Sequence, residues 1–253
     1  MTTPGFTEVF ISFGLVLVAI LISRYWRIPV AKDMALGSVR AFAQLVAVGY
    51  ALKFIFDLES PWLILLALLI MITVGAHAAA GRVKKLKGAF VITVASMAVG
   101  SLVTIGIMLA ARIISFEARY IIPLGGMIIG NSMNASALTV DRISSDLRNN
   151  RLAIETALAL GKPWRTASAT YIRASATAGM MSMLNFMKTV GIVALPGAMT
   201  GMILAGAEPI DAILLQIIVA YMLLAAVTMT SVAAVELTIR RFFTRCHQLQ
   251  HDV

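Results

Sequence analysis

AFVITVASMAVGSLVTIGIMLAA, residues 89–111, carries no charged side chain. A helix rises 1.5 Å per residue, and about 20 apolar residues cross the roughly 30 Å hydrocarbon core of a bilayer. The stretch is long enough to span a membrane and too long for an ordinary buried helix. Six further apolar stretches flank it, at residues 6–23, 39–56, 61–80, 121–140, 179–205 and 210–239. The chain therefore reads as an all-α membrane protein of about seven transmembrane helices, forming a single transmembrane domain over residues 1–253. Composition agrees: 60% of the 253 residues are hydrophobic and 13% charged, with a mean hydropathy of +0.91. Soluble domains carry about 45–50% and about 25%. A soluble enzyme and a disordered chain are both excluded. One cysteine, Cys246, rules out a disulfide framework or a Cys-based zinc cluster and reads as an ordinary tail residue.

A net charge of +9 would suggest nucleic acid in a soluble protein, but here its placement decides. Basic residues collect in cytoplasmic loops of membrane proteins. No Lys or Arg precedes Arg24, so no cleavable signal peptide is expected. Alternating the seven spans puts Arg24, Arg27 and Lys32 on one side, with Arg82, Lys84, Lys85 and Lys87. Arg142, Arg148, Arg151, Lys162, Arg165 and Arg173 join them, as do Arg240, Arg241 and Arg245. Sixteen of the 21 basic residues thus share one face, while Glu8, Asp57, Glu59, Glu117, Glu208 and Asp211 lie on the other. The expected orientation is N-terminus outside, C-terminus inside, with no nucleic-acid partner.

The one long inner connection covers about residues 141–178. Within it, residues 151–160 are strong helix formers, closed by Gly161 and Pro163 as helix C-termini favour. A second helical stretch begins near Trp164. Glu155, Ala157 and Gly161, followed by Trp164 and Arg165, resemble the Glu-Ala-Ala-x-x-x-Gly loop with which ABC-transporter permeases dock on their ATPase subunit. Thr156 replaces the first Ala of that pattern. The alternative is an amphipathic surface helix with no partner. The chain has no G-x-x-x-x-G-K-[ST] loop, so no cofactor is expected in it; ATP and Mg would be bound by the partner.

The spans carry polar groups that lipid contact does not require. Residues 121–136 contain Pro123, Asn131, Ser132 and Asn134, with the two asparagines three apart on one helix face. Residues 195–201 contain Pro196, Gly197, Met199 and Thr200. Pro123 and Pro196 are expected to break their helices toward the outer side, and paired interruptions of this kind point to a transport pathway. Close small-residue packing is the competing explanation. Arg40 with Gln44, and Asn185 with Lys188, add polar pairs near the inner ends of their spans, where a cation can also snorkel. His77 reads as a packing residue. Of the fifteen methionines, eight fall in residues 127–202; thioethers suit soft metals, and they also fill irregular gaps. No metal site is assigned.

Three segments together carry a resemblance: Arg40 with Gln44-Leu45 and Gly49; residues 123–138 with their Gly-Asn-Ser-Met-Asn core; and residues 195–206, LPGAMTGMILAG. They resemble the permease of the two-component iron-export ABC transporters of bacteria, a family that includes plant permeases linked to aluminium tolerance. The resemblance implies a homodimer in the bacterial inner membrane, in contact with lipid. It also implies pairing with a separate ABC ATPase and export of a metal cation, iron above all. Plant relatives are connected with nucleotide-sugar export, so a non-metal solute stays open. Two other classes compete. A secondary transporter would need a buried acid, and Glu236 lies toward an inner end; a membrane enzyme would have only Ser132 and His77 to work with.

Overall fold

A computed structural model describes residues 5–58, 60–83, 86–244 and 248–250. The expectations for Glu59, Lys84, Lys85, Arg245 and Cys246 fall outside these. The described residues form α1 (Phe6–Tyr25), α2 (Ala31–Leu58), α3 (Pro61–Arg82), α4 (Ala89–Ala110) and α5 (Ala118–Asn149). They continue with α6 (Arg151–Ala159), α7 (Trp164–Ala167), α8 (Ala169–Thr189), α9 (Gly197–Leu204) and α10 (Pro209–Phe242). No strand occurs among them, only two isolated bridges. Six of these helices, α1 to α5 and α10, are long and apolar enough to cross a membrane.

The stretch 179–205, expected as one span, is not one helix. α8 starts ten residues earlier, in a polar segment, and stops at Thr189; α9 begins only at Gly197. Gly191 sits at φ +83° in the gap, a conformation that costs other residues about 1–2 kcal/mol. Pro196 restricts Leu195 to extended backbone. Pro123 behaves oppositely to expectation: it lies in the second turn of a continuous 32-residue α5. Only the carbonyl of residue 119 loses its donor, and the neighbouring Ile121, Ile122 and Leu124 are buried.

The chain divides into two compact units, Met1–Glu59 and Ser60–Val253. The first is a hairpin of α1 and α2, touching through Phe10 and Phe42 with ring centroids 6.5 Å apart. Arg27, at φ 54°, closes α1: its N–H donates to Arg24 O and that of Ile28 to Ser23 O, the paired bonds of a Schellman end. No residue of α2 is buried.

In the second unit, α5 and α10 pack on each other and on α4 and α8, and α3 covers α4 and α5. Glycine lets the helices approach closely. A Cβ on Gly100 would lie 2.7 Å from the carbonyl of Ala226 on α10. One on Gly179 would overlap Thr139 and lie 2.7 Å from the hydroxyl of Ser231 and 3.0 Å from the carbonyl of Ala135. Membrane helices associate through such small-residue contacts because lipid offers no hydrophobic drive. Hydroxyls join the same seams: Ser96 and Ser136 are 2.9 Å apart, and Thr230 donates to Ser132 at 3.1 Å.

Candidate transport site

The connection after α5 builds a ledge. α6 buries Ile154 against the C-terminal ends of α5 and α10. Arg151 pairs with Glu155 at 2.7 Å, one turn along the same helix. Gly161 ends α6 at φ 80°, its N–H donating to Leu158 O (2.9 Å) and that of Lys162 to Ala157 O (3.1 Å). These are again the two bonds of a Schellman end, where glycine carries no Cβ penalty. Trp164 then turns inward, stacking on Phe243 with centroids 5.6 Å apart. Arg165 lies 5.0 Å over the Trp164 ring and bonds Glu236 of α10 at 2.8 Å; Arg240 shares that carboxylate. Trp164, one residue of the expected docking loop, thus packs against its own chain. What the ledge leaves exposed is Leu152 in the first turn of α6 and Leu160 at its C-cap, at 79% and 76%.

At the far end of α8, the gap before α9 opens onto two cavities. One, of about 400 Å³, is bordered by Met127 and Asn131 of α5, Met183 of α8, Pro196 and Gly197 at the start of α9, and Gln216 of α10. The other, of about 340 Å³, is bordered by Met187, Gly191, Met199, Gln216 and Tyr221. Gln216 belongs to both. It is 6% exposed, and its Oε1 has no hydrogen-bond partner. Asn131 donates from Nδ2 to Met127 O at 2.8 Å, which leaves its Oδ1 as a free acceptor. No charged residue lines either cavity among the described residues.

Of the residues singled out by sequence, Asn131, Pro196, Gly197 and Met199 thus gather around this pair of cavities. The others lie elsewhere. Ser132 is buried and held by Thr230. Asn134 accepts from Arg82 at 3.0 Å. Thr200 donates to the carbonyl of Pro196 within its own helix. Asn185 and Lys188 are exposed on α8, and Arg40 and Gln44 are exposed on α2 in the first unit. His77 is exposed and meets Phe90 edge-on. Glu208 and Asp211 take the N-cap and first turn of α10, where acidic side chains favour the helix dipole. Among the described residues no three His, Cys, Asp or Glu side chains gather to hold a metal ion. Gln216 is the residue that sequence reading missed; its only signal is a single amide inside the apolar run of residues 210–239.

Known proteins place these features in one family. The chain belongs to the uncharacterised protein family UPF0014, which matches residues 6–243. It is 38% identical to the membrane protein STAR2 of rice (Oryza sativa subsp. japonica), over 99% of this chain and 90% of that protein. It is 34% identical to the protein ALUMINUM SENSITIVE 3 of Arabidopsis thaliana, over 94% and 88%. To the protein of Escherichia coli K12 named probable iron export permease protein FetB it is 37% identical, over 93% and 91%. The family expected from the sequence is therefore the family found. No solved structure matches the chain.

Proposed function

We propose, from that family membership, that this chain is the membrane subunit of an ATP-driven exporter moving a metal cation, iron first, out of the cytoplasm. Two copies would pair with a separate ABC ATPase that binds ATP and Mg, in the inner membrane of a bacterium. The N-terminus would lie outside and the C-terminus inside, an orientation favoured by the sixteen basic residues that share one side. The iron follows from the name of the Escherichia coli relative.

The observation that carries the reading is the ledge. Leu152 and Leu160 stand exposed beside a glycine turn, on an element fixed to α10 through Trp164, Phe243, Arg165 and Glu236. Exposed leucines on a cytoplasmic surface fit the apolar centre of a protein interface. Through α7 the ledge runs into α8, and both α8 and α10 border the cavities. A partner that shifts the ledge as ATP binds and is hydrolysed would shift two cavity walls with it. Alternating access follows from that motion, and the chain performs no covalent chemistry itself.

The test is purification of the tagged full-length chain from its own membranes. An ATPase should co-elute with it, and Leu152→Asp/Leu160→Asp should release that subunit while the permease stays folded. Inverted vesicles should accumulate Fe(II) only when ATP is supplied. Transport that proceeds without any ATPase would overturn the proposal, and accumulation of a nucleotide sugar in place of metal would overturn its cargo.

A further inference from the structure

The C-terminal ends of α3 and α5 meet around a third cavity, of about 260 Å³. It is bordered by Arg82 of α3 and by Asp141, Ser144, Ser145, Arg148 and Asn149 of α5. It shares no residue with the two cavities around Gln216. Arg82 donates one N–H to Asn134 Oδ1 at 3.0 Å, and its guanidinium carries further donors. Arg148 is steadied by the Phe242 ring, whose centroid lies 6.0 Å from its Cζ. Ser144 is 4% exposed, and its Oγ has no hydrogen-bond partner. Asn149 donates from Nδ2 to Ser145 Oγ at 3.3 Å, which leaves the proton of that hydroxyl to donate in turn.

Cations in the last turn of a helix offset the partial negative charge of its free carbonyls, and that accounts for each arginine singly. It accounts neither for the cavity between them nor for the unpaired hydroxyl in its wall, since buried polar groups are costly unless bonded. A ligand that accepts hydrogen bonds from two guanidinium groups and a hydroxyl answers to all three. Two arginines against the one carboxylate of Asp141 disfavour a cation. A carboxylate has two oxygens in one plane and suits one guanidinium fork, whereas the tetrahedral oxygens of a phosphate can meet donors arriving from two helices. The sequence directly after α3 is basic as well, with Lys84, Lys85 and Lys87. Basic pockets between spanning helices on the cytoplasmic side are where lipid phosphates bind.

We infer that the cavity between the ends of α3 and α5 is a phosphate-binding site, with Arg82, Arg148 and Ser144 as its donors. It takes a phosphate group carried by a lipid headgroup or free in solution. A phosphate held there ties the end of α3 to the elbow at which α5 passes into α6, the base of the ledge. The site is independent of the transport reading and needs neither cargo nor ATPase to be measured.

The experiment is thermal unfolding of the delipidated full-length chain in a sugar-headed detergent. It is titrated separately with dioleoylphosphatidylglycerol, with inorganic phosphate, and with dioleoylglycerol, which has the same tails and no phosphate. A phosphate-bearing ligand should raise the midpoint saturably, and dioleoylglycerol should not. Arg82→Gln/Arg148→Gln should raise the half-saturating concentration roughly tenfold or more. Ser144→Ala should raise it roughly threefold without lowering the midpoint of the free chain, because the hydroxyl it removes is unpaired. Arg142→Gln, which alters an arginine of α5 that pairs with Asp146 and does not border the cavity, should respond as wild type. If the double variant does not fold, Arg82→Lys decides with Ser144→Ala, since lysine keeps the charge but loses the fork and should bind more weakly. Saturation at a lower concentration of the lipid than of inorganic phosphate identifies the source as the membrane, and the reverse order identifies a free ion. The site is overturned if neither phosphate ligand acts, if dioleoylglycerol acts equally, or if Arg142→Gln loses as much as the double variant. Wild-type binding in both Ser144→Ala and Arg82→Lys would overturn it too.

Discussion

Pro123 and Pro196 look alike on the page, each an apolar segment's proline beside glycines, yet one sits in an unbroken helix and the other ends one. The difference lies in their surroundings. Pro123 lies near enough to the start of α5 that a single carbonyl loses its donor. The helix around it is buried against α3, α4, α8 and α10. Pro196 is preceded by Gly191, already at positive φ, and residues 191–195 are exposed with little packing to hold them helical. Breakers open a helix where packing does not oppose them, and only there do they leave a cavity.

Three substitutions can break or sharpen that contrast. Gly179→Val strikes the packing that keeps α5 in place, since any Cβ there meets Thr139, Ser231 and the carbonyl of Ala135. It should destabilise the detergent-solubilised protein by about 3 kcal/mol, read as a lowered midpoint of thermal unfolding. Gly191→Ala with Pro196→Ala removes both breakers from the gap. The chain there should gain helix, Val193→Cys should lose reactivity to a maleimide, and metal efflux should fall; Gly191→Ala alone should cost about 1 kcal/mol from its positive φ. Pro123→Ala is the mildest. It restores one donor to a helix already formed, so stability should rise by no more than about 1 kcal/mol with efflux unchanged.

Much of this architecture is readable from sequence where a single local rule applies. Pro61 and Pro209 occupy the first turns of α3 and α10, as proline favours. The end of α6 at Gly161 and the restart at Trp164 follow from glycine and proline alone. The helical stretch expected from Trp164 onward is present as α7 and α8, but its end is less legible, because hydropathy does not mark that α8 stops at Thr189 inside an apolar run. The site is least legible of all. Asn131, Pro196, Gly197 and Met199 carry recognisable irregularity, but Gln216 is one amide in an apolar run, and only folding sets it against α5 and α9. Nor does anything local reveal that Phe243, 79 positions later, stacks on Trp164.

α10 links these regions by construction. It is a 34-residue helix with proline only at its first position and no glycine, so it lacks the usual causes of a kink. Gln216 and Glu236 are twenty residues apart on it, about 30 Å. Such a rod has no preferred direction of signalling. In the proposed exporter, whatever free energy docking at the ledge contributed to reshaping the cavities, a cargo bound there would return to docking in equal measure. The pump would thus engage its engine more tightly when loaded, and idle when there is nothing to expel.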